Sequence, residues 1–181
     1  MSTSRSAPLA IAAMLALGFD SPAPKAAKAA GPGLGRPVSA ARLASLDLTI
    51  EPDGTGLPRG RGAARDGAAI YEQNCEACHG ERGAEPADGI PRLTGGVGSL
   101  ASRKPVRTVT SYWPHAPGLF DYIRRAMPPD RPGALSADET YAVTAYLLSI
   151  DGVVPRDATL DAHALSKVRM PNANGFVDAE R

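Results

Sequence analysis

An all-α fold with three core helices, short flanking helices and long loops is what this 181-residue sequence predicts. Three observations carry the expectation. Gly67, Tyr71, Cys75 and Cys78 recur at helical spacing and share one face of a helix over residues 64–78. Leu119-Phe120-Asp121-Tyr122-Ile123-Arg124-Arg125-Ala126 reads as a second helix, stopped by Pro128 and Pro129. Ser136-Ala137-Asp138-Glu139 is a capping box that opens a third over 136–150, where apolar residues follow at helical spacing. Short helices at 39–46 and 161–168 flank these three.

Composition narrows the class. With 19 Gly and 17 Pro, about a fifth of the chain, the protein is loop-rich but below the roughly 25–30% that marks low-complexity disorder. At about 150 residues per domain, the length suits one domain with extensions. One Trp, five Tyr and three Phe are few large side chains for such a core, so a buried prosthetic group would help to fill it. A formal net charge of +1, from 20 basic and 19 acidic residues, supplies no drive toward nucleic acid or an anionic membrane surface.

The first residues read as an export signal. Arg5 precedes an apolar run over 7–19, and Ala27-Lys28-Ala29 offers a small-x-small cleavage site. That run is too short to cross a bilayer as a helix, which takes about 20 apolar residues. Asp20 and the Pro/Lys-rich stretch to Lys28 lengthen the cleavage region. Further along, the most apolar stretch, 141–150, is interrupted by Thr144 and Ser149. The expectation is a periplasmic protein, exported by a signal over 1–29, with no membrane span in the mature chain.

Both cysteines fall in Cys75-Glu76-Ala77-Cys78-His79. Four chemistries use such a pair. A Cys75–Cys78 disulfide suits an exported protein. A thioredoxin-like redox pair needs a neighbouring βαβ pattern, which is missing. A zinc site would have to recruit the distant His115 or His163. Covalent haem attachment uses this Cys-x-x-Cys-His spacing, because one helical turn sets two thiols against the two vinyl groups of a single porphyrin and the next residue supplies an imidazole to the iron. Together with the export signal, the motif predicts one covalently bound haem c on Cys75 and Cys78, with His79 as the proximal iron ligand.

The distal ligand follows by position. Met1 and Met14 leave with the signal. Met127 closes the predicted second helix, far enough along the chain from His79 to reach the opposite haem face, and a thioether there raises the reduction potential. His115, beside Trp113, and Met170, in Arg169-Met170-Pro171-Asn172, are the competing donors.

The helix carrying Gly67 and Tyr71 ahead of the haem motif resembles the first helix of class I cytochromes c, where it crosses the C-terminal helix closely; Gly67 and Tyr71 would pack near Ala145 and Tyr146. Ile90-Pro91-Arg92-Leu93 resembles the segment of that class whose proline carbonyl accepts the proximal histidine Nδ1–H. The resemblance implies that role for Pro91 and haem packing for Leu93. Tyr112 and Trp113, with Arg103 or Arg107, are candidates for the haem propionates, against the plainer reading of a solvated basic loop. Arg124 and Arg125 serve either as docking charge or as the favourable cationic end of a helix.

Several stretches point to a narrower group. Gly33-Leu34-Gly35-Arg36-Pro37, residues 52–58, residues 67–71, Ser111-Tyr112-Trp113-Pro114, residues 119–128 and Met170-Pro171-Asn172 are similar, in that order, to the cytochrome subunit of sulfur (sulfane) dehydrogenase and to cytochromes paired with molybdenum sulfite dehydrogenases. This implies a class I cytochrome c fold around one haem: an extension over 30–61, the cytochrome domain over 62–152, and a C-terminal extension over 153–181 that wraps the domain or contacts a partner. It also implies a molybdenum-cofactor dehydrogenase subunit as electron donor and a downstream cytochrome or oxidase as acceptor. Some sulfane dehydrogenase cytochromes carry two haem motifs; this chain carries one, which leaves both sulfane sulfur and sulfite open as the partner's substrate. The expected activity is electron transfer, with no catalytic residue of its own. Docking is expected on the loops near Cys75 and over 128–133. A free-standing shuttle and a haem protein with an open sixth position are the alternatives, and carbon monoxide binding separates the second from both carriers.

Overall fold

The computed structural model describes residues 35–177; the expected export signal, Met1, Met14, and the first and last residues of the two extensions lie outside them. Ala40–Arg181 form one compact unit by themselves. Among the described residues the elements all lie in this unit: α1 (Ala40–Leu46), β1 (Arg61–Ala63), α2 (Ala64–Asn74), α3 (Glu76–His79), α4 (Ala116–Ala126), α5 (Ala137–Ile150), β2 (Thr159–Asp161) and α6 (Ala162–Ser166). The fold is helix-dominated, in keeping with a class I cytochrome c.

Helix α5 forms the centre. Ser136 caps it as expected, its hydroxyl accepting from the Glu139 N–H at 3.3 Å while Glu139 Oε2 accepts from the Ser136 N–H at 2.8 Å. Most of its length is buried, including Tyr141, Val143, Ala145 and Leu148, because α2 packs on one side of it and α4 on another. Gly67 lies against Ala142 and Tyr146, one turn before the expected Ala145, since residues 142 and 146 share the face that α2 crosses while Ala145 turns into the core. Tyr71 and Tyr146 meet with ring centroids 5.4 Å apart, and Phe120 of α4 meets Tyr141 at 4.4 Å.

Two features depart from the sequence expectation. The helix over 64–78 breaks at Cys75, whose φ of −128° closes α2 and lets α3 begin. Asn74 turns its side chain back to donate to the Ile70 carbonyl at 2.9 Å, local bonding that competes with helix continuation. The second departure is a small antiparallel ribbon, β1 with β2, in the register Arg61↔Asp161, Gly62↔Leu160 and Ala63↔Thr159. Three-residue strands carry no alternation to read, and the pairing forms because Gly62 lets β1 sit directly on the Ala142 backbone of α5. It ties the start of α2 to the segment after α5.

Helix α4 begins three residues earlier than expected, because Pro117 sits in its first turn, where a missing N–H costs no helical bond. In α6 the Asp161 carboxylate accepts from the Ala164 N–H at 2.8 Å, a side-chain N-cap. Among the described residues, no helix is long and apolar enough to cross a membrane.

Candidate haem site

The Cys-x-x-Cys-His motif sits on the turn that follows α2. Cys75 donates its N–H to the Tyr71 carbonyl at 2.8 Å, and its own carbonyl accepts from Cys78 at 3.2 Å and His79 at 2.9 Å, so one turn carries all three side chains. Both cysteines are free thiols, Cys75 half-buried and Cys78 exposed. Burial, with Cys78 as neighbour, pushes the Cys75 thiol up to about 11. No disulfide links them, and no group of three or more His, Cys, Asp or Glu side chains gathers for a metal ion among the described residues.

His79 Nδ1 lies 3.1 Å from the Pro91 carbonyl oxygen. A carbonyl accepts only, so Nδ1 is the donor and Nε2 is the nitrogen turned away from this contact. The loop that delivers Pro91 is fastened to the motif turn: the Gly83 carbonyl accepts from Leu93 at 2.9 Å and from Thr94 at 3.2 Å, and the Thr94 hydroxyl donates to the Arg82 carbonyl at 2.8 Å. Arg82 (φ 55°) holds a left-handed conformation between Gly80 and Gly83, both also at positive φ. On the other flank the Tyr71 hydroxyl donates to the Gly80 carbonyl at 3.0 Å. Burial, then the charge of Cys75, raises the Tyr71 phenol above its ordinary range, so it remains a donor.

Met127 ends α4, its N–H donated to the Ile123 carbonyl at 3.0 Å. Cys75, Leu93, Trp113 and Met127 are each partly buried and pack against the hydrophobic core. Trp113 also packs edge-on against Tyr122 at 5.7 Å. Tyr112 belongs to a different group: its ring meets Phe176 at 5.2 Å and lies under Arg107 at 5.5 Å, and its carbonyl accepts from Asn172 at 2.7 Å. Arg103 is exposed. Of the competing donors, His115 is exposed and pairs its backbone with Arg169, whereas Met170 is a core side chain with 3% exposure.

These residues fit a haem of the c type: two free thiols and an imidazole on one turn, the imidazole oriented through its outer nitrogen, and a partly buried thioether on the hydrophobic core. Sequence reasoning did not single out the Tyr71 hydroxyl, the Thr94 clasp or the contact of Arg131 Nη2 with Asn74 Oδ1 at 3.2 Å. Each joins residues distant in sequence through a common polar side chain, and no local pattern announces it.

Comparison with known proteins agrees with this geometry. Residues 62–147 match the family model described as cytochrome c oxidase, cbb3-type, subunit III. No curated protein matches the chain significantly. Among solved structures, the sulfane dehydrogenase SoxCD from Paracoccus pantotrophus contains a chain that is 41% identical, with a TM-score of 0.76, over 83% of this chain and 73% of that one. With the motif turn, the helical fold and this degree of identity in agreement, the chain belongs to the c-type cytochromes, as a relative of the SoxD chain of that complex.

Proposed function

We propose that the protein is a periplasmic mono-haem cytochrome that passes single electrons as the accepting subunit of a molybdenum-dependent sulfane or sulfite dehydrogenase. The observation that carries the haem assignment is the His79 Nδ1 to Pro91 carbonyl contact at 3.1 Å, next to two free thiols on one turn. The partner assignment rests on the identity to a chain of SoxCD. In this reading residues 1–29 are the export signal, 30–61 and 153–181 are extensions, and 62–152 form the cytochrome domain.

Bound haem c supplies a one-electron couple. Cys75 and Cys78 would tether it, and His79 and Met127 would ligate its iron. Pro91 holds the imidazole in one orientation and one tautomer, which raises its basicity as a ligand. Leu93 and Trp113, each partly buried on the core, would pack against the haem. Tyr112 and Arg107, stacked at 5.5 Å, would supply polar contacts to the haem propionates. No acid, base or nucleophile is assigned, because outer-sphere transfer needs none. Arg131, in contact with Asn74, brings the 128–133 loop beside the motif turn, and this edge is the docking surface.

Optical spectra of haem-loaded wild type and Met127→Ala test the ligand set. The wild type is expected to show the weak long-wavelength methionine-to-iron band and to bind no carbon monoxide; the variant loses the first and gains the second. The mass of the mature protein reports one haem and the cleavage site. Reduction of the loaded protein by a purified molybdenum subunit, with sulfane sulfur or sulfite as substrate, tests the partner.

A further inference from the structure

Asp151, just beyond α5, lies outside every motif, yet its carboxylate is the hub of a buried hydroxyl network. Asp151 Oδ2 accepts the Gly95 N–H at 2.6 Å and also the Thr110 hydroxyl. Around it, the Thr108 hydroxyl donates to the Gly95 carbonyl at 2.7 Å and accepts from the Ser111 N–H at 3.1 Å, while the Ser111 hydroxyl donates to the Val106 carbonyl at 2.7 Å and accepts from the Thr108 N–H at 2.9 Å. Each hydroxyl has one proton and each proton one acceptor. Asp151 is the only anion in the set, and charge-assisted bonds to an ionised acceptor are the stronger kind.

Gly95 lies four residues from Pro91. Between them the Leu93 and Thr94 N–H groups are held by the Gly83 carbonyl, and the Leu93 carbonyl accepts from Val109 at 3.2 Å. The 91–95 segment is therefore fixed at one end by Asp151, in the middle by the motif turn, and delivers the Pro91 carbonyl at the other. Gly95 (φ +83°) and Gly96 (φ +78°) adopt positive-φ conformations that glycine reaches without a Cβ penalty. We infer that Asp151 is a positioning residue: it anchors the segment that holds the Pro91 carbonyl on His79, and so tunes the proximal ligand from the far end of α5.

The inference rests on His79 as proximal ligand and deepens that reading. Loosening the Pro91 contact makes the imidazole a weaker donor to the iron, which favours the reduced state and raises the potential. The experiment compares haem-loaded wild type, Asp151→Asn, Asp151→Ala and the near-isosteric Thr110→Val, which deletes one hydroxyl donor with little change of shape. Hydrogen exchange at the Leu93 and Gly95 amides, exchange of the His79 ring Nδ1–H by NMR, and the reduction potential are measured. Faster exchange at all three protons with an upward shift in potential, graded Thr110→Val below Asp151→Ala, is expected. A drop in thermal stability with Nδ1–H exchange and potential both unchanged overturns the inference and leaves Asp151 a structural clasp. If Asp151→Ala fails to take up haem, Thr110→Val and Asp151→Asn carry the decision on the same readouts. Failure of the underlying assignment is seen separately, in a wild-type spectrum without a histidine-ligated low-spin haem.

Discussion

Gly67 of α2 meets Ala142 of α5 backbone to backbone, so that a Cβ on Gly67 would overlap the Ala142 carbonyl and stand 2.8 Å from the Tyr146 Cβ. The obstacle is main chain inside a buried helix, which cannot step aside as a side-chain tip would. Gly67→Ala is therefore expected to destabilise the haem-loaded protein by about 1–3 kcal/mol, the range for overpacking a well-filled interior. Denaturant unfolding followed at the Soret band measures it. A loss below about 0.5 kcal/mol would mean that the two helices can separate freely.

Tyr71 joins the same helix pair to the haem motif. Its ring is fully buried against Tyr146 and its hydroxyl donates to the Gly80 carbonyl, directly after His79. Tyr71→Phe keeps the ring and removes one hydrogen bond, so a loss of about 1 kcal/mol is expected. The phenol's ionisation is raised in the folded protein by burial. Its contribution is then fully present below the ordinary tyrosine value near 10 and is lost as the pH rises through the higher folded value. Unfolding titrations above pH 9 should accordingly show a shallower alkaline decline in Tyr71→Phe than in wild type, and equal slopes would refute the assignment.

The start of α5 gives the opposite pH dependence. The Ser136 hydroxyl and backbone N–H both bond Glu139, and they hold its carboxyl below the usual glutamate range. A lowered folded value stabilises above the unfolded value near 4.3, and that stabilisation is lost as the pH falls through the folded one. Ser136→Ala is expected to cost about 1 kcal/mol near neutral pH, the usual worth of a side-chain N-cap. The gap to wild type should narrow below about pH 4, where Glu139 takes up its proton; a gap that widens there contradicts the capping box as its source.

What the sequence made legible follows from how local each cause is. The capping box of α5 is short-range, and α5 and α6 stand within a few residues of the expected 136–150 and 161–168. The haem motif and the Ile90-Pro91-Arg92-Leu93 segment were equally readable, one from spacing and the other from family resemblance. The β1–β2 ribbon was not, because its cause is the missing Cβ of Gly62 against a helix some eighty residues away. Nor was the break at Cys75, which turns on one Asn74 side chain bonding its own helix. The Asp151 network was invisible for a further reason: Thr, Ser and Asp are ordinary loop residues, and only the fold brings residues 95, 108, 110, 111 and 151 together.

Met127 and Met170 differ in burial, and the ligand role proposed for Met127 can be tested on that difference. Met170 is 3% exposed within the core, on a segment tied to the rest by Asn172 on Tyr112 and by the pairing of Arg169 with His115. Truncating a buried methionine to alanine costs about 2–5 kcal/mol, so Met170→Ala is expected to lower stability strongly while the methionine-to-iron band survives. Met127 is only partly buried, at the end of α4 against the core edge. Met127→Leu keeps its volume approximately and should change stability by under about 1.5 kcal/mol, yet it should abolish the band and admit carbon monoxide. Because the two variants are expected to move stability and spectrum in opposite combinations, one pair of measurements on the loaded protein decides the assignment. Loss of the band in Met170→Leu with retention in Met127→Leu would transfer the distal ligand to Met170 and require the 170–172 segment to leave the core.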